Sequence, residues 1–279
     1  MRRNTLTALA CAFLISFTLA AARGATPGHN DDGDFKERDA SRQTYGLAPG
    51  ATVEINSVSG GVTVETSESS QAEVEIVRTA RTRQDLDCRQ FKVEAAPERL
   101  RLDGNDERRQ CRNVQVHQTL TLRLPRRVNL DVNSVSGHVR VGALDGWAHL
   151  NSISGNASVE RASGKILFSS ISGSATVARA SGDVVFSSIS GRVGFNLTSL
   201  GGGGVRVNSV SGSVDVGLPD GASADISVRS ISGDVTSDVP GLTINKTEGS
   251  NYEGRVGGGG TRLTFNSISG SVRFHRTGE

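Results

Sequence analysis

The side chains of this chain that could do chemistry are serines, histidines, cysteines and carboxylates, and their spacing argues against a catalytic site. Serine recurs in a four-residue phrase, Ser-(Val/Ile)-Ser-Gly, whose eight copies end at Gly60, Gly137, Gly155, Gly173, Gly191, Gly212, Gly233 and Gly270. A hydrolytic serine is needed once, on a Gly-x-Ser-x-Gly elbow, and that pentapeptide is absent from the sequence. We therefore interpret the serines as turn-forming hydroxyls.

The histidines and carboxylates do not form a metal-ligand or acid-base pattern. His138 and His149 are close in sequence, but their places in the nine-residue repeat described below direct their side chains to opposite faces. The aspartates at outward repeat positions do not recur with the repeat: Asp183, Asp215, Asp225, Asp234 and Asp238. We predict no catalytic residue, no bound metal and no cofactor.

Two cysteines, Cys88 and Cys111, remain after removal of an N-terminal signal. An even pair in an oxidising compartment normally closes a disulfide, and the closely spaced Cys-x-x-Cys of redox enzymes is absent. The pair brackets two predicted strands, at 91–95 and 99–103, so the bridge would close the base of a hairpin and stabilise it by about 2–4 kcal/mol.

A nine-residue period organises the middle of the chain. Six units fill residues 138–191, each with apolar second, fourth and seventh places and each closed by glycine. Alternation of apolar and polar residues is typical of a half-buried strand, and glycine accepts the positive φ of a corner. Each unit therefore predicts one strand and one turn. The predicted structural turn residues are Gly137, Gly155, Gly173, Gly191, Gly212, Gly233 and Gly270.

The inward places alternate in bulk between successive units. Alanines such as Ala157 and Ala175 alternate with Phe168 and Phe186. In all six units we count the apolar seventh place, like the second and fourth, as facing the core. Two units thus make one coil of eighteen residues with two unlike walls, and the later coils lengthen to twenty-one residues. A three-sided helix needs an apolar residue every six, which is not seen. We predict an all-β, two-sheet β-solenoid of about 18–21 residues per coil, with its handedness open.

The remaining segments have other compositions. Residues 1–25 carry Arg2 and Arg3 before an apolar run that ends in small residues, which predicts a secretory signal peptide; an uncleaved anchor is the alternative. Residues 26–44 are predicted to be a flexible leader, 45–130 an irregular N-terminal β cap, and 131–279 the solenoid repeat region. The protein is therefore expected in the periplasm or at the cell surface, without an integral membrane span after signal cleavage.

Charge excludes one class of partner. The formal net charge is +2, with basic and acidic residues interspersed, and this argues against nucleic-acid binding. Aromatic residues make up only 4% of the chain, so an aromatic-lined sugar cleft is not indicated. The sole tryptophan, Trp147, begins a repeat unit and should point outward, where it is a possible ligand contact.

Three stretches carry a resemblance to a known family. Residues 53–65 (VEINSVSGGVTVE), the strand-plus-Ser-Gly units from Val128 onward, and residues 253–273 resemble the bacterial "putative adhesin" family of envelope proteins, the domain of unknown function 4097. The resemblance spans roughly residues 46–275. It implies a Ser-Gly repeat β-solenoid at the cell envelope with no established catalytic residues.

Two functions follow as hypotheses from these observations. The first is a non-catalytic extracytoplasmic scaffold or adhesin-like protein that binds an envelope polysaccharide or a partner protein, because a rod of repeated polar side chains offers many weak contacts. The open ends of such a rod also permit strand addition or self-association. The second is a carbohydrate-active enzyme on a β-helix, which would shorten the polymer rather than retain it.

Overall fold

The computed structural model of the protein describes residues 35–107, 114–200 and 203–277. Within these ranges the chain is almost entirely β-strand, with one short helix. The elements in chain order are β1 (Glu37–Gly46), β2 (Thr52–Ser67), β3 (Gln71–Ala80), α1 (Arg83–Cys88), β4 (Arg89–Ala96), β5 (Arg99–Glu107), β6 (Val116–Pro125), β7 (Asn129–Leu144), β8 (Ala148–Ala162), β9 (Ile166–Ala180), β10 (Val184–Leu197), β11 (Val205–Leu218), β12 (Ala224–Ser232), β13 (Val235–Ser237), β14 (Thr243–Lys246), β15 (Ser250–Val256), β16 (Thr261–Ser269) and β17 (Val272–Arg276).

The long strands β7 to β11 stack in parallel, each one coil above the last. Gly137 pairs with Gly155, Gly155 with Gly173, and Gly173 with Gly191, so the register between β7 and β10 is eighteen residues, as the repeat predicts. Each strand bends at its Ser-Gly phrase into two halves. We name the halves before the phrase the first wall and the halves after it the second wall. The predicted all-β solenoid is confirmed.

The core lies between the two walls. Phe186 of the first wall and Phe195 of the second wall are almost fully buried, and their ring centroids are 5.5 Å apart in a stacked arrangement. Phe265 and Phe274 meet edge to face at 5.4 Å. Apolar side chains from both walls therefore meet within one coil, and burying them is the main stabilising term of the stack.

Glycine is required at the bend between the walls because the backbone there leaves no room for a side chain. Gly155 has a φ of 150°, and a Cβ at this position would lie 2.1 Å from the carbonyl oxygen of Gly137 on the neighbouring coil. The seven predicted turn glycines all have φ between 137° and 155°. The glycine column thus permits the close backbone approach that in-register stacking demands.

The seventh place of the units behaves differently at the two corners. Leu144, Ala162 and Ala180 are buried, as expected. At the Ser-Gly corner, the described residues that hold the equivalent position are Val135 and Ile231, and their exposed fractions are 42% and 76%. Both residues lie outside the six units for which an inward seventh place is predicted, and here the bend turns the middle of the phrase away from the core. The inward positions predicted for Ile153, Ile171 and Ile189 fall on side chains outside the described ones.

The C-terminal coil lies out of sequence order. The sequence suggests that coils stack in chain order as far as the last phrase, but β16 and β17 insert between β11 on one side and β12 with β13 on the other. The bend glycines are therefore ordered Gly191, Gly212, Gly270 and Gly233. Beyond β12, the first wall continues through the antiparallel strands β15 and β14.

The N-terminal end differs from the predicted leader and cap. Residues 37–44 of the expected leader form β1 together with the first two residues of the expected cap, and β1 is antiparallel to β3. Strand β2, inside the expected irregular cap, is already in solenoid register, with Gly60 opposite Gly137. On its other side β2 pairs with β5 in the first wall and with β6 in the second wall. The expected boundary at residue 130 lies within β7. Residues 1–34, including the predicted signal, lie outside the described residues.

The hairpin expected between the cysteines is present as β4 and β5, which pair in antiparallel. The sequence prediction missed α1, which precedes it. Thr82 caps this helix, its hydroxyl accepting from the Asp85 backbone N–H at 3.2 Å while the Asp85 carboxylate faces the Thr82 backbone N–H. Cys88 ends α1, but Cys111 lies outside the described residues, so the disulfide stays a prediction.

Candidate binding groove

A groove of about 740 Å³ runs along the second wall, across the stacked coils from β2 to β17. Its lining includes the outward residues of the second-wall halves, which alternate along each strand with buried core residues that also contribute to it, such as Val141 and Phe195. One row of in-register neighbours crosses it: Thr63, Arg140, Ser158, Thr176, Gly194 and Asp215. Consecutive members lie one strand spacing apart, about 4.8 Å.

Several of the residues that line the groove are small. Gly142, Ala178 and Gly194 contribute no side chain or only a methyl group. A Cβ added at Gly194 would meet only the Cγ2 of Thr176, at 3.8 Å, which is ordinary van der Waals contact. Gly194 is therefore not required by the backbone, and its lack of a side chain leaves open space in the groove.

Most charged side chains that line the groove have a partner of opposite charge. Glu65 accepts from Arg123 at 2.9 Å, and Glu160 from Arg179 at 3.0 Å. Arg126 lies 3.0 Å from a carboxylate oxygen of Glu68. These pairs hold their carboxylates in place, although each exposed pair contributes little to stability.

Arg140 is the exception in the described part of the groove. Its side chain is exposed, and the described residues give it no hydrogen bond and no ion pair. Its neighbours in the row are the hydroxyl residues Thr63 and Ser158. A guanidinium flanked by hydroxyl groups offers hydrogen-bond donors to a ligand.

The far end of the groove is closed by His275 of the inserted strand β17. Its Nδ1 lies 3.0 Å from Oδ1 of Asp215, and its Nε2 lies 3.2 Å from Oδ1 of Asn196. Which nitrogen carries the proton depends on the tautomer and on the orientation of the Asn196 amide. In either case both ring nitrogens face a protein partner, so neither is directed at a hydroxyl nucleophile.

Glu73 and Asp225, both away from the groove, have a lowered pKa with a structural cause. Arg42 of β1 hydrogen-bonds Glu73 of β3, and this contact lowers the pKa of Glu73. Arg255 and the Gly260 backbone N–H hydrogen-bond Asp225, and they lower its pKa in that order of importance. Both pairs join neighbouring strands or loops.

The residues that the sequence analysis named as candidates lie in different parts of the structure. Trp147 is 39% exposed at the corner before β8, where its backbone N–H donates to Asn129, and it does not line the groove. His149 lies on the first wall, 3.8 Å from Asp131, whereas His138 lies on the second wall. Of the outward aspartates, Asp215 reaches the groove, while Asp225 and Asp238 pair with arginines elsewhere.

The asparagines before the phrases form amide ladders on the half-buried outer face of the first wall. Asn151 donates to Asn133 at 2.9 Å, and Asn133 donates to Asn56 at 3.2 Å. Asn266 donates to Asn208 at 2.9 Å. The ladders bind strand to strand across coils, which is a structural role.

No group of three metal-ligating side chains occurs among the described residues. Nor does any described helix have the length and apolar character needed to cross a bilayer.

The sequence prediction missed the groove residues Arg140, Asp215 and His275 as a set. A signal for the first was available, because Arg140, Ser158 and Thr176 hold the third place of alternate units. No comparable signal exists for His275, which approaches Asp215 through the insertion of β17.

Comparison with known proteins gives one family match and several similar structures. Residues 151–274 match the Toastrack DUF4097 family. The chain is similar to a "putative cell adhesion protein" of Clostridium sporogenes, with 11% identity over 86% of this chain and 100% of that chain, and a TM-score of 0.37. No curated protein matches it in sequence.

Two further solved structures are similar to the same extent. A "putative adhesin" of Bacteroides fragilis has 8% identity over 85% of this chain and 97% of that chain, with a TM-score of 0.38. A "putative lipid binding protein" of Parabacteroides distasonis has 9% identity over 85% of this chain and 96% of that chain, with a TM-score of 0.37.

Proposed function

We propose, on the premise that residues 151–274 belong to the Toastrack DUF4097 family, that the protein is a non-catalytic, exported scaffold whose groove holds a linear polysaccharide of the cell envelope. Export rests on the composition of residues 1–25, which is that of a secretory signal. The compartment is then the periplasm or the cell surface.

The observation that carries this proposal is the row of polar side chains along the groove. Thr63, Arg140, Ser158 and Thr176 lie on four successive strands, each about 4.8 Å from the next. A polymer lying along the solenoid axis meets a polar side chain on each of these four strands, and three of the four are hydroxyl residues. Many weak contacts on one chain add up to firm binding without any single strong site.

The same geometry favours binding over catalysis. The groove carboxylates Glu65 and Glu160 accept hydrogen bonds from arginines, and both nitrogens of His275 face protein oxygens. General acid-base chemistry needs a group that is free to exchange a proton with the substrate. The competing hypothesis of a carbohydrate-active enzyme predicts that bound polymer becomes shorter with time.

A groove-filling variant tests the proposal. Gly194→Leu places a branched side chain in the open centre of the groove, and leucine also suits a strand better than glycine does. We expect it to fold normally and to weaken binding of envelope polysaccharide by at least about tenfold. The measurement is co-sedimentation with isolated peptidoglycan sacculi, together with affinity electrophoresis in soluble envelope polysaccharide.

Gly258→Leu is the matched control, because Gly258 lies in an exposed loop with no atom within 4 Å of an added Cβ. It should bind like the unmodified protein. Equal binding by Gly194→Leu and the unmodified protein would contradict the groove as the binding site. A progressive loss of polymer length on incubation would instead support the enzyme.

A further inference from the structure

We propose that Arg140 forms a carboxylate subsite, so that the polymer held in the groove is an acidic polysaccharide with uronic acid residues spaced among neutral ones. This inference rests on the proposed function and specifies the chemical class of its ligand.

The first step is the balance of charge along the groove. Among the described residues that line it, Glu65, Glu160, Arg126 and Asp215 each have an oppositely charged or imidazole partner within 3.0 Å. Arg140 has none. One positive charge among the described lining residues is thus available to a ligand.

The second step is the set of groups around Arg140. Thr63 and Ser158 flank it on the two adjacent coils. Two residues further along β7, Gly142 faces the neighbouring strand closely: an added Cβ would lie 3.3 Å from the hydroxyl oxygen of Thr66 and 3.4 Å from the carbonyl oxygen of Val64. Arg140 is therefore bordered by a hydroxyl residue on each of the two adjacent coils.

The third step is the match to ligand chemistry. A guanidinium group binds a carboxylate through two parallel hydrogen bonds. Neighbouring hydroxyl groups can donate to the remaining lone pairs of the carboxylate oxygens. Ser158 and Thr176 continue the row with groups suited to neutral sugar hydroxyls. A second carboxylate close to the first would find no unpaired cation among the described groove residues, and the two like charges would repel each other. The groove therefore favours sparse over continuous acidic substitution.

The test compares two forms of one polymer. Fully methyl-esterified polygalacturonate is neutral, and sparse de-esterification adds isolated carboxylates without changing the sugar backbone. We expect the sparsely de-esterified form to bind about tenfold more tightly, the usual scale of a charge-assisted hydrogen bond. Arg140→Gln should abolish this preference, so that the two forms bind with equal affinity, whereas Arg140→Lys should retain part of it.

Arg206→Gln is the matched control. Arg206 is likewise an exposed strand arginine without a partner among the described residues, but it lies on the first wall. It should keep the full preference. Equal affinity for the two polymers, binding of neither, or the same loss in Arg206→Gln would overturn the inference.

The failure of this inference is distinguishable from that of the proposed function. If Gly194→Leu weakens both polymers equally while Arg140→Gln changes nothing, the groove binds polymer but does not select carboxylates. If Gly194→Leu binds both polymers normally, the groove is not the site and both proposals fail.

Discussion

Asp225 joins β12 to the glycine-rich loop that follows β15. Its carboxylate accepts a hydrogen bond from Arg255 at 2.8 Å and another from the Gly260 backbone N–H at 3.0 Å. Both contacts favour the ionised carboxylate, and they lower the pKa of Asp225 from its ordinary value. The loop of residues 257–260 has no side chains of its own to fix it, so this carboxylate holds its position.

The lowered pKa sets the direction of a pH effect. A carboxyl whose folded pKa lies below its unfolded value stabilises the fold at pH above the unfolded value, about 3.9 for aspartate, and this contribution is lost as pH falls through the folded pKa. We expect Arg255→Gln to raise the pKa of Asp225 toward the ordinary value, because the leading hydrogen bond is removed. Carboxyl carbon NMR titration measures the shift directly.

Arg276→Gln is a suitable control, since Arg276 pairs with Asp220 and not with Asp225. It should leave the titration of Asp225 unchanged. If Arg255→Gln had no effect on that titration, the Gly260 N–H rather than Arg255 would dominate.

At the scale of elements, the contacts that its side chains make explain why the coil of β16 and β17 lies between β11 and β12. Asn266 continues the amide ladder by donating to Asn208, and Phe274 is fully buried. In the alternative stack, with β12 directly on β11, the registers would bring Arg229 to the position of Asn266, and Ser237 to that of Phe274. The insertion therefore gains an amide bond and a large buried ring.

Charge at β17 acts in the same direction. Its three basic residues each face an aspartate on a neighbouring segment: Arg273 with Asp238, His275 with Asp215, and Arg276 with Asp220. These pairs are exposed to different degrees and individually weak. Together these pairs favour β17 as the neighbour of β11. The polar residues of β13 in the same place would not form them.

Cross-linking tests the order of the coils. Arg206, Thr264 and Ser227 are successive neighbours in one row of the first wall. We expect Arg206→Cys with Thr264→Cys to form a disulfide on mild oxidation. Arg206→Cys with Ser227→Cys should not, because two strand spacings of about 4.8 Å exceed the roughly 7 Å that a bridge spans.

Peptide mapping by mass spectrometry separates these bridges from any that involve the native cysteines. A bridge between positions 206 and 227 as the main product would show that β12 stacks on β11 in chain order, contrary to the structure.

At the scale of the whole molecule, the outermost described strands are poor templates for further pairing. The first wall ends at β4 and β14, and the second wall at β1 and β13. Strands β13 and β14 have only three and four residues. Strand β4 carries the exposed ion pair of Lys92 and Glu94. Short and charged edges oppose edge-to-edge association.

Removing charge from one edge should therefore cause self-association. We expect Lys92→Val with Glu94→Val to form dimers and larger species in sedimentation velocity, because β-branched apolar residues on an open edge promote strand pairing. The control is Glu160→Val with Arg179→Val, which removes an ion pair of the same kind from the central strands β8 and β9. The control should stay unassociated; equal association of both variants would point to surface hydrophobicity rather than the edge.

Much of the central solenoid could be predicted from the sequence, because its determinants repeat locally. The bend glycines and the inward apolar places recur every eighteen residues from Gly137 to Gly191, so any other register would expose Phe168 and Phe186 or press a side chain against the glycine column. Helix α1 was not predicted, because six residues are too few to show a helical period of apolar residues, although Thr82 and Asp85 signal its start.

Sequence alone determined the coil, its period and its two unlike walls, since these depend on contacts between identical positions of adjacent repeats. Only the tertiary structure decided which coils are neighbours at the two ends, and hence the far end of the groove. Copies of one phrase are interchangeable as local structure, so their order depends on complementarity between distant residues. His275 meets Asp215, sixty positions away in the chain, because the last coil fits there better than the coil that precedes it.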